Sequence, residues 1–210
     1  MGFEALTRFT DGYNPADIFN IAAQSGALGD LEIETMTRAI DSIRALLLPG
    51  QFLAVNVSPP LLVDRLPEVS AALAGISERV IVELTEHIKI TDYESVRQAT
   101  RMLGVGLKVA IDDVGSDYSN LKKIVELHPD YLKLDICLIH NIDSDPYRLA
   151  LVRSLQSFAE TVGCTLIAEG VETEEERQTL QGLGVLMGQG FLLGRPTPLT
   201  DAGTLDAFLN

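Results

Sequence analysis

No apolar run in this 210-residue chain approaches the ~20 residues that cross a bilayer. No signal peptide is read at its start. Cysteine is scarce. Cys137 and Cys164 are the only two, and they sit in apolar runs that read as strand or core. They lack metal-ligand spacing, so a zinc site is not expected and a reduced, cytoplasmic setting is. There are three histidines, and only His87 lies near a motif, where it reads as a loop or helix-start residue. Neither a G-x-G-x-x-G turn nor a P-loop is present. Basic residues are few: 16 Lys and Arg against 30 Asp and Glu give a formal net charge of −14. Such a surface repels duplex nucleic acid and anionic membranes. A small anionic substrate stays compatible with it, given metal ions and a few placed cations.

What is present is a globular chain, 46% hydrophobic, long enough for one sizeable domain. Residues 2–6 read as a short strand. Asn14-Pro15-Ala16-Asp17 is a helix start, with Asn14 as cap and Pro15 at the first helical position. Helical periodicity spans 31–48, closed by Pro49-Gly50. Strands are expected over 51–58, 80–84, 107–112, 131–134 and 164–168, with helices over 61–74, 121–127 and 146–162 between them. Thr91-Asp92-Tyr93-Glu94 and Thr173-Glu174-Glu175-Glu176 both have capping-box spacing, opening helices that run to Leu103 and Gly182. Gly188-Gln189-Gly190-Phe191 reads as a last strand or turn, and a short helix is expected from Thr200. Strand–helix alternation with short, nearly continuous apolar strands points to an α/β fold of parallel strands, about seven in number.

Polar residues interrupt these strands near their C-terminal ends: Glu4, Asn56, Glu83, Asp112, Lys133, Glu169 and Gln189. In a (β/α) barrel such ends converge on one mouth, whereas in an open sheet they spread along an edge. The barrel therefore fits better. Asp112 and Asp113 end an apolar strand side by side, a costly pair unless a cation or proton neutralises it. The first is expected along the inside of the sheet and the second in the loop. Each polar residue alone has a structural explanation, and a strand followed by an Asp-rich turn would suffice for the pair. Seven equivalent interruptions favour a site. Glu4, Asn56, Glu83 and Asp112 offer only oxygen donors, which suits Mg²⁺ or Mn²⁺. Asp113 and Glu169 could complete a second metal position or act as general base, and Lys133 could orient an attacking water.

Glu4-Ala5-Leu6 followed by Arg8 resembles the signature of the EAL-domain cyclic di-GMP phosphodiesterases. The similarity continues, in the family's order, through Val55-Asn56-Val57-Ser58, Glu83-Leu84-Thr85-Glu86, Ile111-Asp112-Asp113-Val114-Gly115, Leu132-Lys133-Leu134-Asp135, Ala168-Glu169-Gly170-Val171-Glu172-Thr173 and Gln189-Gly190-Phe191. The resemblance covers essentially the whole chain and implies a modified (β/α)8, TIM-like barrel. It implies hydrolysis of cyclic di-GMP to linear pGpG with Mg²⁺ or Mn²⁺. Glu4, Asn56, Glu83 and Asp112 then match metal ligands, and Asp113 a ligand of the second metal. Lys133 and Glu169 match water-activating groups. Arg8, Leu6 and Gln189 match substrate-binding positions, and Glu86 the anchor of the loop after Asp113. A homodimer and an upstream sensory domain in a longer protein are further implications. The family's usual first strand is missing before Glu4, so residues 1–210 are expected to be one N-terminally truncated EAL domain. Val114 and Asp117 stand where the family commonly has Phe and Gly, and the segment from Arg8 to Pro15 is short. These departures motivate an alternative reading, a catalytically inactive cyclic di-GMP receptor.

Overall fold

The computed structural model describes residues 2–9, 11–85, 90–104, 106–116 and 119–198. The chain forms two compact units, Met1–Lys108 and Val109–Asn210. In the first, β1 (Gly2–Glu4), β2 (Phe52–Val57) and β3 (Val80–Leu84) pair in parallel in chain order. In the second, β4 (Lys108–Val114), β5 (Tyr131–Leu134), β6 (Thr165–Ala168) and β7 (Met187–Gly188) do the same. Parallel neighbours cannot be joined by tight turns, and helices fill the crossovers. Every residue of β3 is buried, as is Leu132-Lys133-Leu134 of β5, which is why these strands read as unbroken apolar runs.

The caps read from the sequence mostly hold. In α1 (Pro15–Ser25), Asn14 Oδ1 accepts from the Ala16 N–H at 3.0 Å, and Gly26 closes the helix in the left-handed region. Helix α2 (Leu28–Ile43) starts and ends earlier than the period suggests. The expected helix 61–74 is two helices, α3 (Pro59–Asp64) and α4 (Leu66–Leu73). Ser58 caps α3 through the Leu61 N–H, so Pro59 and Pro60 start a helix as well as stopping a strand. Pro67 has no N–H to offer the Val63 carbonyl, and the helix breaks at Arg65. In α5 (Tyr93–Met102) the cap is Asp92, one residue after the expected Thr91, bonded to the Ser95 N–H at 3.0 Å and the Ser95 hydroxyl at 2.6 Å.

The second unit continues with α6 (Ser119–Leu127), the single turn α7 (Ile136–Ile139), α8 (Pro146–Val162) and α9 (Glu174–Gly182). Helix α8 has the expected Pro146 start and Gly163 stop, and α9 the expected capping box on Thr173 and Glu176. The cysteines depart from expectation. Asp135 caps α7 by accepting from the Cys137 N–H at 2.7 Å, and this turn directs Leu138 and Ile139 inward. Cys137 is therefore exposed, and Cys164 is half-buried. Glu86, His87, Asp117 and the helix expected from Thr200 lie outside the described residues. No helix among the described residues is long and apolar enough to cross a membrane.

Candidate functional site

Successive side chains of a strand point to opposite faces, so neighbouring carboxylates should diverge. Strand β4 avoids this with a bulge. Ile111 pairs with Leu132 and Val114 pairs with Leu134, so Asp112 and Asp113 together oppose the single Lys133. Asp113 takes up the extra residue with φ 54°, a left-handed conformation that Asp tolerates better than most. Its N–H donates to Asp112 Oδ1 at 3.1 Å. Its carbonyl accepts from the Ser116 hydroxyl at 2.7 Å and the Ser116 N–H at 3.1 Å. The strand thus runs past its expected end at residue 112, and Asp113 belongs to it. Asp112, Asp113 and Glu169 each present a carboxylate oxygen within 4.8 Å of the others.

Lys133 sits inside this cluster and is 1% exposed. Its Nζ lies 3.0 Å from Asp112 Oδ1 and 2.9 Å from Glu169 Oε1. Strand pairing places both partners. The Glu169 N–H donates to the Leu134 carbonyl at 3.0 Å, which continues the β5–β6 ladder one residue beyond β6. Gln189 follows β7, donates its N–H to the Ala168 carbonyl at 2.8 Å, and donates Nε2 to Glu169 Oε1 at 2.6 Å. The Lys133 ammonium contacts two of the three clustered carboxylates. All the acidic donors are hard oxygens, so the cluster suits a divalent cation of the Mg²⁺ or Mn²⁺ kind.

Two loops after the strands are latched by backbone. The Val171 N–H donates to the Gln189 carbonyl at 3.0 Å and the Leu192 N–H to the Val171 carbonyl at 3.1 Å. Gly190 makes this possible. A Cβ there would lie 2.2 Å from the Val171 nitrogen, and its φ of 152° is a conformation that other residues rarely adopt.

In the first unit, Asn56 of β2 is in register with Glu83 of β3, and Glu4 of β1 with Ala54. Residues 54 and 56 share a face by the two-residue repeat, so Glu4, Asn56 and Glu83 lie on one face of three adjacent strands. Glu83 is buried, Glu4 half-buried and Asn56 exposed. Leu6 and Arg8 are exposed in the segment after β1, where Arg8 Nη1 donates to the Thr7 carbonyl at 2.8 Å. Of the residues expected in the site, the structure gathers Asp112, Asp113, Lys133, Glu169 and Gln189 in the second unit, and aligns Glu4, Asn56 and Glu83 in the first. Glu86 lies outside the described residues. Two features escaped sequence reasoning: the bulge, which has no local residue signature, and the buried Glu176, legible only as a helix-capping acid.

Known proteins resemble this chain over nearly its whole length. A family model described as EAL domain matches residues 1–196. The Escherichia coli (strain K12) protein named probable cyclic di-GMP phosphodiesterase PdeA is 34% identical over 160 residues, 72% of this chain and 22% of that protein. A solved calcium and cyclic di-GMP complex of Klebsiella pneumoniae BlrP1 superposes with a TM-score of 0.82 at 34% identity, covering 94% of this chain and 52% of that one. Its manganese and cyclic di-GMP complex gives 0.81, also at 34%, covering 92% and 51%. The chain spans less than half the length of the curated relatives it matches. The expected fold class, a TIM-like (β/α) barrel, is borne out by these likenesses.

Proposed function

The chain belongs to the EAL domain family, and on that premise we propose that it is a metal-dependent phosphodiesterase that hydrolyses cyclic di-GMP to linear pGpG. The observation that carries this reading is the buried Lys133, held between Asp112 and Glu169 beside a second aspartate. Its acidic donors alone would fit a structural cation. A buried ammonium among them fits a site that must also position a water.

By motif, Glu4, Asn56, Glu83 and Asp112 would hold one divalent ion and Asp113 would contribute to a second. A divalent cation bound there would supply Lewis acidity at the phosphoryl oxygens and lower the pKa of water. Lys133 Nζ would donate to a water beside Asp112 while its contact with Glu169 orients that carboxylate. Glu169 then receives the proton that the water loses as its oxygen adds to phosphorus. The P–O3′ bond breaks, its electron pair leaves with the 3′ oxygen, which takes a proton from solvent, and the product carries a 5′-phosphate. Gln189 donates to Oε1, the same Glu169 oxygen that Lys133 contacts. Arg8 suits a phosphate contact by its planar fork, and Leu6 lines the same segment.

Residues 1–210 as one catalytic domain, a homodimer and control by an upstream sensory domain are carried over from the family in the same proposal, and a cytoplasmic location from the scarce cysteines, which lack metal-ligand spacing. The test is product analysis of cyclic di-GMP incubated with the purified chain and Mn²⁺, with EDTA and the Glu4→Ala and Asp112→Ala variants as controls. Metal-dependent pGpG that disappears in both variants supports the enzyme. Tight nucleotide binding without product would instead support the receptor reading.

A further inference from the structure

We propose that Glu176 is a positioning residue for the site, a buried carboxylate that clamps α7 to the loop carrying Glu169. The inference rests on the phosphodiesterase reading. Glu176 is 1% exposed, unusual for a helix-capping acid on a first turn. One oxygen serves the cap: Oε2 accepts from the N–H groups of Glu172 at 2.9 Å and Thr173 at 3.1 Å. A cap needs no more than that. The other oxygen, Oε1, accepts from the Asn141 N–H at 2.9 Å, 35 residues away in sequence, with His140 Nδ1 at 3.6 Å. Asn141 itself is left-handed, φ 59°, so the turn after α7 is bent toward this carboxylate.

What Glu176 joins gives the clamp its consequence. Glu172 and Thr173 close the loop that begins at Glu169 and carries the Val171 latch to Gln189. Helix α7, at the other end of the clamp, is wedged between two loops. A Cβ on Gly115 would lie 2.6 Å from Leu138 Cδ1, and one on Gly170 would lie 2.4 Å from Ile136 Cγ1. Gly115 follows the Asp112–Asp113 bulge by two residues and Gly170 follows Glu169 directly. Both glycines have positive φ, so backbone and helix meet without side chains between them. Cys137 adds a weak contact from Sγ to the Gly115 carbonyl at 3.8 Å. Helix α7 therefore acts as a spacer between the aspartate loop and the Glu169 loop, and Glu176 holds the spacer in place. Glutamine can keep only one side of the clamp. It has one acceptor oxygen, and its amide nitrogen would face a backbone N–H on one side or the other.

The test measures Mn²⁺ binding by the whole chain, from the free-ion electron paramagnetic resonance signal, alongside pGpG formation. It compares wild type, Glu176→Gln and Asp92→Ala, the last removing a helix cap in the first unit. Groups that orient metal ligands typically change metal affinity by about 10- to 100-fold when lost, so Glu176→Gln is expected to bind Mn²⁺ at least tenfold more weakly. Asp92→Ala is expected to stay within about twofold of wild type while losing a cap's worth of stability. If wild type turns over and Glu176→Gln binds Mn²⁺ as wild type does, the clamp is overturned and the enzyme stands. If wild type neither binds the ion nor forms product, both fall. A second measurement needs no variant: hydrogen exchange of wild type with and without Mg²⁺. Slowing at Asn141 together with Glu172 and Thr173 supports the clamp, and slowing at 172–173 without Asn141 overturns it.

Discussion

Replacing Lys133 with methionine removes a charge and keeps most of the volume. In wild type, Nζ lies 3.0 Å from Asp112 and 2.9 Å from Glu169, with the lysine 1% exposed. Without it, Asp112 and Glu169 each lose an ammonium within 3.0 Å, beside a third carboxylate, Asp113, that offers an oxygen within 4.8 Å of theirs. At an effective dielectric constant near 20, two like charges at that distance repel by about 3–4 kcal/mol. Mutational experience with one partner of a buried pair removed gives a similar cost, about 3–5 kcal/mol. For a chain of this size that corresponds to a fall in Tm of roughly 6–20 °C. The assay is thermal unfolding of wild type and Lys133→Met, each in EDTA and in Mg²⁺. The variant should fall within that range in EDTA and recover more than wild type gains when Mg²⁺ is added, because the ion replaces the missing charge. A variant within about 2 °C of wild type in EDTA would refute the argument, since the carboxylates would then be relieved some other way.

Gly190→Ala should cost at least ~2 kcal/mol, because its Cβ would meet the Val171 backbone at 2.2 Å in a conformation alanine avoids; denaturant midpoints check this, and an unchanged midpoint counts against the latch. Burial pushes both thiols up to about 11, for Cys137 with help from the Asp135 carboxylate. Iodoacetamide labelling at pH 7.5 should therefore be slow despite Cys137's exposure and rise about tenfold per pH unit up to pH ~10; rapid labelling at pH 7.5 contradicts the assignment. Glu176 titrates below the ordinary glutamate value: burial opposes its ionisation, but the backbone N–H groups of Glu172, Asn141 and Thr173 outweigh it. A depressed acid stabilises the fold above its unfolded value of about 4.3 and loses that contribution as pH falls through the folded value. Urea unfolding should thus show the wild-type advantage over Glu176→Gln intact at pH 6 and shrinking below pH ~4, and an advantage that grows with acid would reverse the sign.

Much of this was legible from residue types. Asn14-Pro15, Asp145-Pro146 and Thr173 with Glu176 mark helix starts because their side chains bond the first free N–H groups locally. Glu4, Asn56, Glu83, Asp112, Lys133, Glu169 and Gln189 stood out because a charged or amide group in an apolar strand needs a reason. What stayed hidden depends on partners distant in sequence. The bulge is a mismatch between β4 and β5, visible in neither strand alone. Asn141 and Glu176 meet only after α8 and β6 have carried the chain out and back. Cys137 misled because an apolar run of four residues fits a strand or one helical turn equally well, and the Asp135 cap decides between them.

The bulge in β4 makes the site unusually sensitive to one kind of genetic change. Loss of the Asp113 codon would leave Ile111, Asp112 and Val114 facing Leu132, Lys133 and Leu134 one for one, an ordinary ladder without the left-handed residue. Such a deletion relieves backbone strain while discarding a carboxylate. On the proposed phosphodiesterase reading, a single in-frame step would take a lineage from turning over its nucleotide to only holding it. The same asymmetry says that insertions and deletions between residues 111 and 114 should separate foldability from activity more cleanly than substitutions do.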